Sequence, residues 1–328
     1  MLRHRNEFPA EGDMPEFDGA TAWLNAAPMS VAEFRGRVVL VSFGTYTCIN
    51  WIRSLPYVRA WADKYAEHGL TVVGVQTPEF EFEGDLANVE RSLKDMDVRY
   101  PVAVDNDYAV WRAFDNHYWP ALYFVDAQGR IRHHHFGEGE YEESEMVLQM
   151  LLREAATDVD QGLVRIKPSG VEAAADWASL GSPETYLGYD RAAGFASPGG
   201  VVPDARDSYS APSQLRRNQW ALSGDWAIGS VSASLDQPGG AITYQFHARD
   251  VHLVMGPPSG RAPAGFRVRL DGDPPESAHG VDVDEGGNGV ADYQRMYQLV
   301  RQPAPIDDRR LEIEFLDAGV EAFVFTFG

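Results

Sequence analysis

The chain has 328 residues, of which 44% are hydrophobic and 23% charged, and its formal net charge at pH 7 is −21. This length and composition allow two domains of ordinary size, each with its own apolar core. The negative charge repels phosphate backbones and anionic lipid, so we expect no nucleic acid or membrane-surface partner. The single cysteine, Cys48, excludes an internal disulfide and any cysteine-rich metal site.

Residues 1–37 form a lead-in that prolines and glycines interrupt. The first residues lack the apolar stretch of a signal peptide, and no later segment approaches the roughly 18 apolar residues of a membrane helix. We therefore expect no membrane insertion. The expected location is cytoplasmic if the sequence is complete, and periplasmic or otherwise extracytoplasmic if it has been trimmed.

Strand and helix patterns alternate over residues 38–157, the first predicted domain. Val38–Phe43 is a near-continuous apolar run, typical of a strand buried on both faces. A helix follows from about residue 47 to 68, with Gly69 as its natural C-cap, and a second buried strand spans 70–75. The remaining pattern predicts, in order, a loop (77–84), a helix (86–96), a short strand (101–104), a short helix (108–114), a hairpin (119–136) and a helix (141–156). This order predicts an α/β domain with helices flanking a central sheet.

The composition changes between residues 158 and 185, which we interpret as a linker. From 186 to 328 short alternating runs recur between turn signals such as Asp271-Gly272. Near the end of the chain Phe323, Phe325 and Phe327 alternate onto one face. Many short strands with such turns predict an all-β sandwich or jelly roll.

Cys48 lies where the first buried strand passes into the following helix. Backbone N–H groups at a helix start are unpaired and the helix dipole is positive there, so a thiol at this position tends to ionise below its ordinary pKa of about 8.5. The alternative is an inert buried thiol, as many single cysteines are.

Five motifs occur in a fixed order along the first half: Thr45-Tyr46-Thr47-Cys48-Ile49-Asn50, Leu55-Pro56-Tyr57-Val58, Thr77-Pro78-Glu79-Phe80, Tyr118-Trp119-Pro120-Ala121 and the segment 134–141. Together they resemble the thioredoxin-like family of the TlpA/ResA type, most closely the soluble part of DipZ-type proteins. The resemblance implies a thioredoxin fold with a cis-proline at Pro120 beside Cys48, and peptide binding along the backbone of Trp119. It also implies that residues 186–328 form a carbohydrate-binding-like module.

The family box carries a cysteine at both ends of four residues, but position 51 of this chain is tryptophan. A first thiolate can still attack a substrate disulfide, whereas an internal second thiol that would resolve the mixed disulfide is missing. The favoured hypothesis is that Cys48 is a monothiol nucleophile in thiol–disulfide exchange or thiol-dependent reduction. An external thiol such as glutathione would complete the cycle, the partners would be protein or small-molecule disulfides and thiols, and no cofactor or metal is expected.

The residues predicted to bind substrate around Cys48 are Thr45, Tyr46, Thr47, Trp51, Trp119 and Pro120. Tyr46, Trp51 and Trp119, together with Tyr118, are expected to form an apolar groove. Trp51 is expected at its rim, because it lies in the first turn of the helix.

Two alternatives remain open. Thr45 lies three residues before the cysteine, as a threonine does in peroxiredoxins, which allows a one-cysteine peroxidase whose sulfenic acid an external thiol reduces. The other alternative is a non-catalytic thioredoxin-fold protein that binds a peptide or a glycan, with Trp220 and Trp226 as candidate sugar-stacking residues. His133 and His135 share one face of a strand, and we interpret them as part of a polar strand surface rather than a metal site.

Overall fold

The computed structural model describes residues 8–328, so residues 1–7 of the predicted lead-in lie outside the described part. The chain divides into two units, the first ending at Glu172 and the second spanning Ala173–Gly328. Each unit encloses its own cluster of buried apolar side chains.

A mixed seven-stranded sheet forms the centre of the first unit. Its strands are β1 (Gly12–Asp13), β2 (Ala22–Leu24), β3 (Val38–Gly44), β4 (Leu70–Gln76), β5 (Val102–Val104), β6 (Ala121–Val125) and β7 (Arg130–Phe136). Their order across the sheet is β1-β7-β6-β3-β4-β5-β2, with β3, β4 and β5 parallel and β6 antiparallel to β3. All seven residues of β3 are buried, as its apolar run predicts.

Four helices accompany this sheet: α1 (Ile49–Tyr65), α2 (Leu86–Asp95), α3 (Ala109–Ala113) and α4 (Tyr141–Glu154). After α1 a 3-10 turn, Ala66–His68, leads to Gly69, whose φ of 92° is the left-handed conformation that glycine adopts readily. Asp85 caps α2 by accepting hydrogen bonds from the N–H groups of Ala87 and Asn88. The predicted α/β architecture is confirmed.

The described part of the lead-in is built into the first unit, which differs from the predicted boundary at residue 38. β2 pairs with β5, and β1 pairs with β7, so both sheet edges come from residues before 38. Met14 and Phe17 are buried in the same core as Phe43. The apolar side chains of this segment lie between prolines and glycines. They attach the segment to the unit because they cover one face of the sheet.

The predicted linker, residues 158–185, is also divided between the two units. Its first part is fastened to the first unit by Glu145 of α4, a buried carboxylate that accepts hydrogen bonds from the N–H of Val164 and from the hydroxyl of Tyr65, at 2.8 and 2.6 Å. At the other end, Thr185 already belongs to a strand of the second unit. The composition change therefore marks a boundary region rather than a free connection.

Residues 173–328, all of which are described, contain no α-helix. The strands of this unit are β8 (Thr185–Tyr186), β9 (Arg206–Tyr209), β10 (Trp220–Ile228), β11 (Ala233–Leu235), β12 (Ala241–Phe246), β13 (Asp250–Gly256), β14 (Ala264–Leu270), β15 (Asn288–Ala291), β16 (Arg295–Arg301), β17 (Arg309–Phe315) and β18 (Val320–Phe327). Nine of them follow one path, β15-β14-β17-β12-β10-β11-β18-β13-β16, while β8 adds to β18 and β9 to β10.

Strand β10 joins the two parts of this nearly barrel-like, largely all-β unit. Residues 220–223 pair with β12, whereas residues 224–228 pair with β9 and β11. The change of partner occurs at Gly224, whose φ is 93° and whose missing Cβ leaves room for Gly240. The predicted all-β class is confirmed, and the finer jelly-roll assignment stays a prediction. Within residues 8–328 no helix combines the length and apolar character needed to cross a bilayer.

Candidate functional site

Cys48 is the N-cap residue of α1, four residues after the end of β3. Its backbone is extended (φ −73°, ψ 112°), its carbonyl accepts the N–H of Ile52 and its own N–H donates to the carbonyl of Thr45, both at 3.0 Å. The side chain is partly exposed. The thiol therefore sits at the positive end of the α1 dipole, as the strand-to-helix transition predicts.

The backbone that leads into β6 lies on the other side of the thiol from α1. The Trp119–Pro120 peptide bond is cis, and the carbonyl oxygen of Trp119 lies 3.8 Å from Sγ of Cys48. The indole N–H of Trp119 donates to the carbonyl of Thr77 at 3.1 Å, which ties this segment to the loop after β4. The segment before β6 therefore contacts both the thiol and the loop after β4.

Trp51 differs from its expected place at the rim of the site, because only 4% of its surface is exposed. The indole lies directly over Gly44, at the end of β3, where any Cβ would overlap the Cγ, Cδ1 and Nε1 atoms of Trp51. The indole N–H has no hydrogen-bond partner among the described residues. A first-turn tryptophan can be buried here because glycine leaves a flat recess in the strand beneath it.

The side chains of Thr45, Tyr46 and Thr47, three of the residues predicted to bind substrate, are also buried. The hydroxyl of Thr45 accepts a hydrogen bond from Nε2 of Gln76 on β4, at 2.9 Å. The aromatic ring of Tyr46 packs edge-on against Phe82. The buried side chains of these three residues anchor the loop that carries Cys48 to the core.

Glu83 is the functional candidate that the sequence prediction missed. Its carboxylate is fully buried and accepts hydrogen bonds from the hydroxyl of Thr47 (2.5 Å) and from the N–H groups of Glu79 (2.6 Å) and Phe80 (2.8 Å). Burial raises the pKa of Glu83 to about 7, against the lowering effect of hydrogen bonds from Thr47, Phe80 and Thr45. The hydroxyl of Thr47, the residue before Cys48, therefore links the thiol-bearing turn to a buried titratable group.

This buried carboxyl predicts a pH dependence of stability. Between pH 4.5, its ordinary pKa, and about 7, folded Glu83 keeps a proton that the unfolded chain has released. The free energy of unfolding should thus fall as pH rises through this window, by about 3 kcal/mol in total. Urea denaturation of the wild type and of E83Q between pH 4.5 and 8 measures this, with E83Q lacking that part of the slope. Equal slopes in the two proteins would contradict it.

An exposed aromatic pair lies next to the Trp119 backbone. Tyr118 is 52% exposed and Phe136 is 38% exposed, and their ring centroids are 4.8 Å apart. Phe136 is paired with Ala121 at the start of β6, the end of the strand nearest Cys48. Of the four aromatic residues expected to form a groove, Tyr118 and Trp119 reach the surface, whereas Tyr46 and Trp51 are core residues.

The histidine run and the tryptophans of the second unit have structural surroundings. Nδ1 of His134 lies 2.7 Å from Glu11, and Nδ1 of His135 lies 3.3 Å from Glu140. Trp220 and Trp226 are fully buried within the β-unit, and their indole N–H groups donate to backbone carbonyls. The sugar stacking considered for these two tryptophans is therefore excluded in this conformation, since neither ring has an exposed face.

Comparison with known proteins matches both halves of the chain. Residues 10–150 match the family model described as Redoxin, and residues 182–328 match the model of the thioredoxin-like C-terminal domain. The chain is 37% identical over 250 residues to the protein DipZ of Mycobacterium tuberculosis, covering 75% of this chain and 35% of that protein. It therefore spans about a third of the length of this relative.

A shorter relative is covered over most of its length. The thiol-disulfide oxidoreductase YkuV of Bacillus subtilis is 33% identical over 124 residues, which is 38% of this chain and 83% of YkuV. Among solved structures, a thioredoxin-like protein in its oxidised form is 31% identical, with a TM-score of 0.41, over 44% of this chain and 96% of that one.

Proposed function

The chain belongs to the TlpA/ResA type of the thioredoxin-like family, and from this premise we propose that Cys48 is a monothiol nucleophile for thiol–disulfide exchange. The observation that carries the proposal is the position of the thiol: it caps α1, is partly exposed and lies beside the carbonyl of Trp119. The positive end of the helix favours the thiolate, which is the attacking species.

The proposed exchange starts with attack of the Cys48 thiolate on one sulfur of a substrate disulfide. The substrate S–S bond breaks, a mixed disulfide with Cys48 forms, and the released substrate thiolate takes up a proton. Trp51 offers no second thiol, so the next nucleophile comes from outside, for example glutathione.

Two external thiols complete the cycle. The first attacks the Cys48 sulfur, releases the remaining substrate thiolate and leaves the external thiol bound to Cys48. The second attacks that external sulfur, forms the external disulfide and regenerates the Cys48 thiolate. Two electrons thus pass from two external thiols to one substrate disulfide.

The surface around the thiol supports a protein substrate. Tyr118 and Phe136 expose aromatic area beside the backbone of Trp119, which offers apolar contact to residues flanking a disulfide. In thioredoxin folds an extended peptide pairs with this backbone as an added strand.

The test compares wild type with C48S, a variant that retains the side-chain volume and removes the nucleophile. We expect the wild type to accelerate reduction of hydroxyethyl disulfide by glutathione, followed through glutathione reductase and NADPH. C48S should fall to the uncatalysed rate, because every proposed step passes through the Cys48 sulfur.

The same assay distinguishes the alternatives. Unchanged thermal midpoints in the two proteins show that both are folded. Turnover of hydrogen peroxide but not of the disulfide would replace exchange by a one-cysteine peroxidase. If the folded wild type had neither activity, the proposal of thiol–disulfide exchange would be overturned and the non-catalytic binding protein would be favoured.

A further inference from the structure

An ion pair connects α1 to the loop that follows β7. Nη1 of Arg53, five residues after Cys48, donates to Oε1 of Glu138 at 3.1 Å. Only 2% of the Arg53 side chain and 9% of the Glu138 side chain are exposed, so the pair is buried. Glu138 directly follows Gly137, whose N–H donates to the carbonyl of Pro120 at 2.9 Å. The ion pair therefore lies one residue from a direct bond to the cis-proline segment.

These contacts form a closed ring that includes the thiol. Cys48 and Arg53 are carried by the same helix, and the carbonyl of Trp119 lies 3.8 Å from Sγ of Cys48. Glu138 belongs to the loop that bonds to Pro120, the residue after Trp119. The position of the Trp119 backbone relative to the thiol therefore depends on the ion pair as well as on the direct contact.

We propose that Arg53 and Glu138 are positioning residues for a peptide substrate, because their ion pair holds the loop after β7 and the Trp119 backbone where an extended peptide can reach the thiol. This inference rests on the proposed function, since it concerns the substrate of the same thiol. It assigns neither residue a contact with the reacting sulfurs. It predicts that the protein prefers a disulfide within a peptide to a disulfide between small molecules.

The energetics of the pair favour a positioning role over a stabilising one. Removing two charges from water offsets much of their attraction, and apolar residues of similar volume often replace a buried ion pair without loss of stability. The Nε–H of Arg53 is also buried without a hydrogen-bond partner among residues 8–328, which lowers the net stabilisation further. The pair does favour one geometry, because its attraction weakens when the loop moves away from α1.

The loop after β7 has conformational freedom that the ion pair can restrict. Gly137 (φ 87°), Gly139 (φ 105°) and Glu140 (φ 49°) all adopt the left-handed region. Glycine is not confined to this region, and a glutamate is disfavoured in it, so the local sequence does not hold the loop in this conformation. The contact between Arg53 and Glu138 therefore contributes to the position of the loop.

The test compares two substrates that carry the same activated disulfide. One is a short peptide with a single cysteine between aromatic residues, bound to thionitrobenzoate, and the other is a single blocked cysteine bound to the same group. Attack of the Cys48 thiolate on the substrate cysteine sulfur breaks the S–S bond, forms a mixed disulfide with Cys48 and releases coloured thionitrobenzoate. Because the chain has one thiol, the colour reports on Cys48 alone.

The measured quantity is the ratio of the second-order rate constants, peptide over blocked cysteine. Both substrates meet the same thiolate, so a change in the ionisation of Cys48 cancels in this ratio. We expect the ratio to exceed one in the wild type and to fall about three- to tenfold in R53M. R53K should keep part of the preference, because its ammonium can still donate to Glu138.

R132M is the matched control. Arg132 forms a similarly buried ion pair with Asp126, which directly follows β6 and so lies at the opposite end of that strand from Pro120. This variant should also lose a buried cation, but it should keep the wild-type ratio.

The outcomes separate this inference from the proposed function. An unchanged ratio in folded R53M would overturn the positioning role, as would a wild type without preference for the peptide, and both results leave Cys48 as the nucleophile. A folded wild type that releases no thionitrobenzoate from either substrate would overturn the proposed function instead. If R53M does not fold, R53M/E138M takes its place with the same expected fall, because the double variant leaves no unpaired buried charge.

Discussion

Replacing Gly44 by alanine is expected to lower the free energy of unfolding of the first unit by about 3 kcal/mol. The added methyl group would overlap the indole of Trp51, which is itself buried and packed against β3. Gly44 has no left-handed φ, so the cost comes from overlap and not from backbone conformation. Hydrogen exchange of β3 and α1 amides measures the change locally, which suits a chain of two units that need not unfold in one step.

A double-mutant cycle supplies the control. W51A alone should cost about 3–5 kcal/mol through loss of a buried indole and the void it leaves. In G44A/W51A the new methyl group occupies part of that void, so the double variant should be more stable than the sum of the two single costs predicts. Strict additivity would show that the two residues do not pack as described.

The second large effect is expected from W51C, which places a thiol at the other end of the family's four-residue box. Its thiol should form an internal disulfide with Cys48 on mild oxidation, visible as the loss of two hydrogens in the intact mass. The reduced variant should then reduce a substrate disulfide in a single turnover. The new thiol at position 51 attacks the Cys48 sulfur of the mixed disulfide and releases the substrate thiol. A single equivalent of reduced protein would consume substrate without glutathione.

W51S is the matched control for this experiment, since it leaves a similar void without a thiol. Both variants should lose stability to a similar extent, and adding G44A should recover part of it in each. The prediction would be wrong if W51C formed disulfide-linked dimers instead of an internal disulfide. It would also be wrong if W51S reduced the substrate in a single turnover without glutathione.

The main features of the first unit follow from local patterns. The apolar run before Gly44 indicated a buried strand, and the periodic residues after Cys48 indicated a helix, so the position of the thiol between them was predictable. The same holds for the all-β class of the second unit, where alternation and turn signals are repeated many times.

The burial of individual side chains at the site could not be predicted, because it depends on contacts between residues that the sequence pattern does not show. Trp51 looked exposed because first-turn helix positions often are, and only its pairing with Gly44 seven residues earlier explains its place in the core. Glu83 is one of three alternating glutamates, with Glu79 and Glu81, and the pattern does not reveal which of them turns inward. One signal was present: Glu83 lies three residues after Phe80 and bonds back to its N–H, as in a capping box.

The packing of Trp51 on Gly44 also restricts how this sequence can change. A substitution that restores a thiol at position 51 removes a buried indole, and a side chain at position 44 overlaps it. Each of these two single substitutions is therefore expected to be less stable than the present chain. The double substitution should recover part of the lost volume. A second thiol at position 51 is therefore expected to cost this chain stability unless position 44 changes with it.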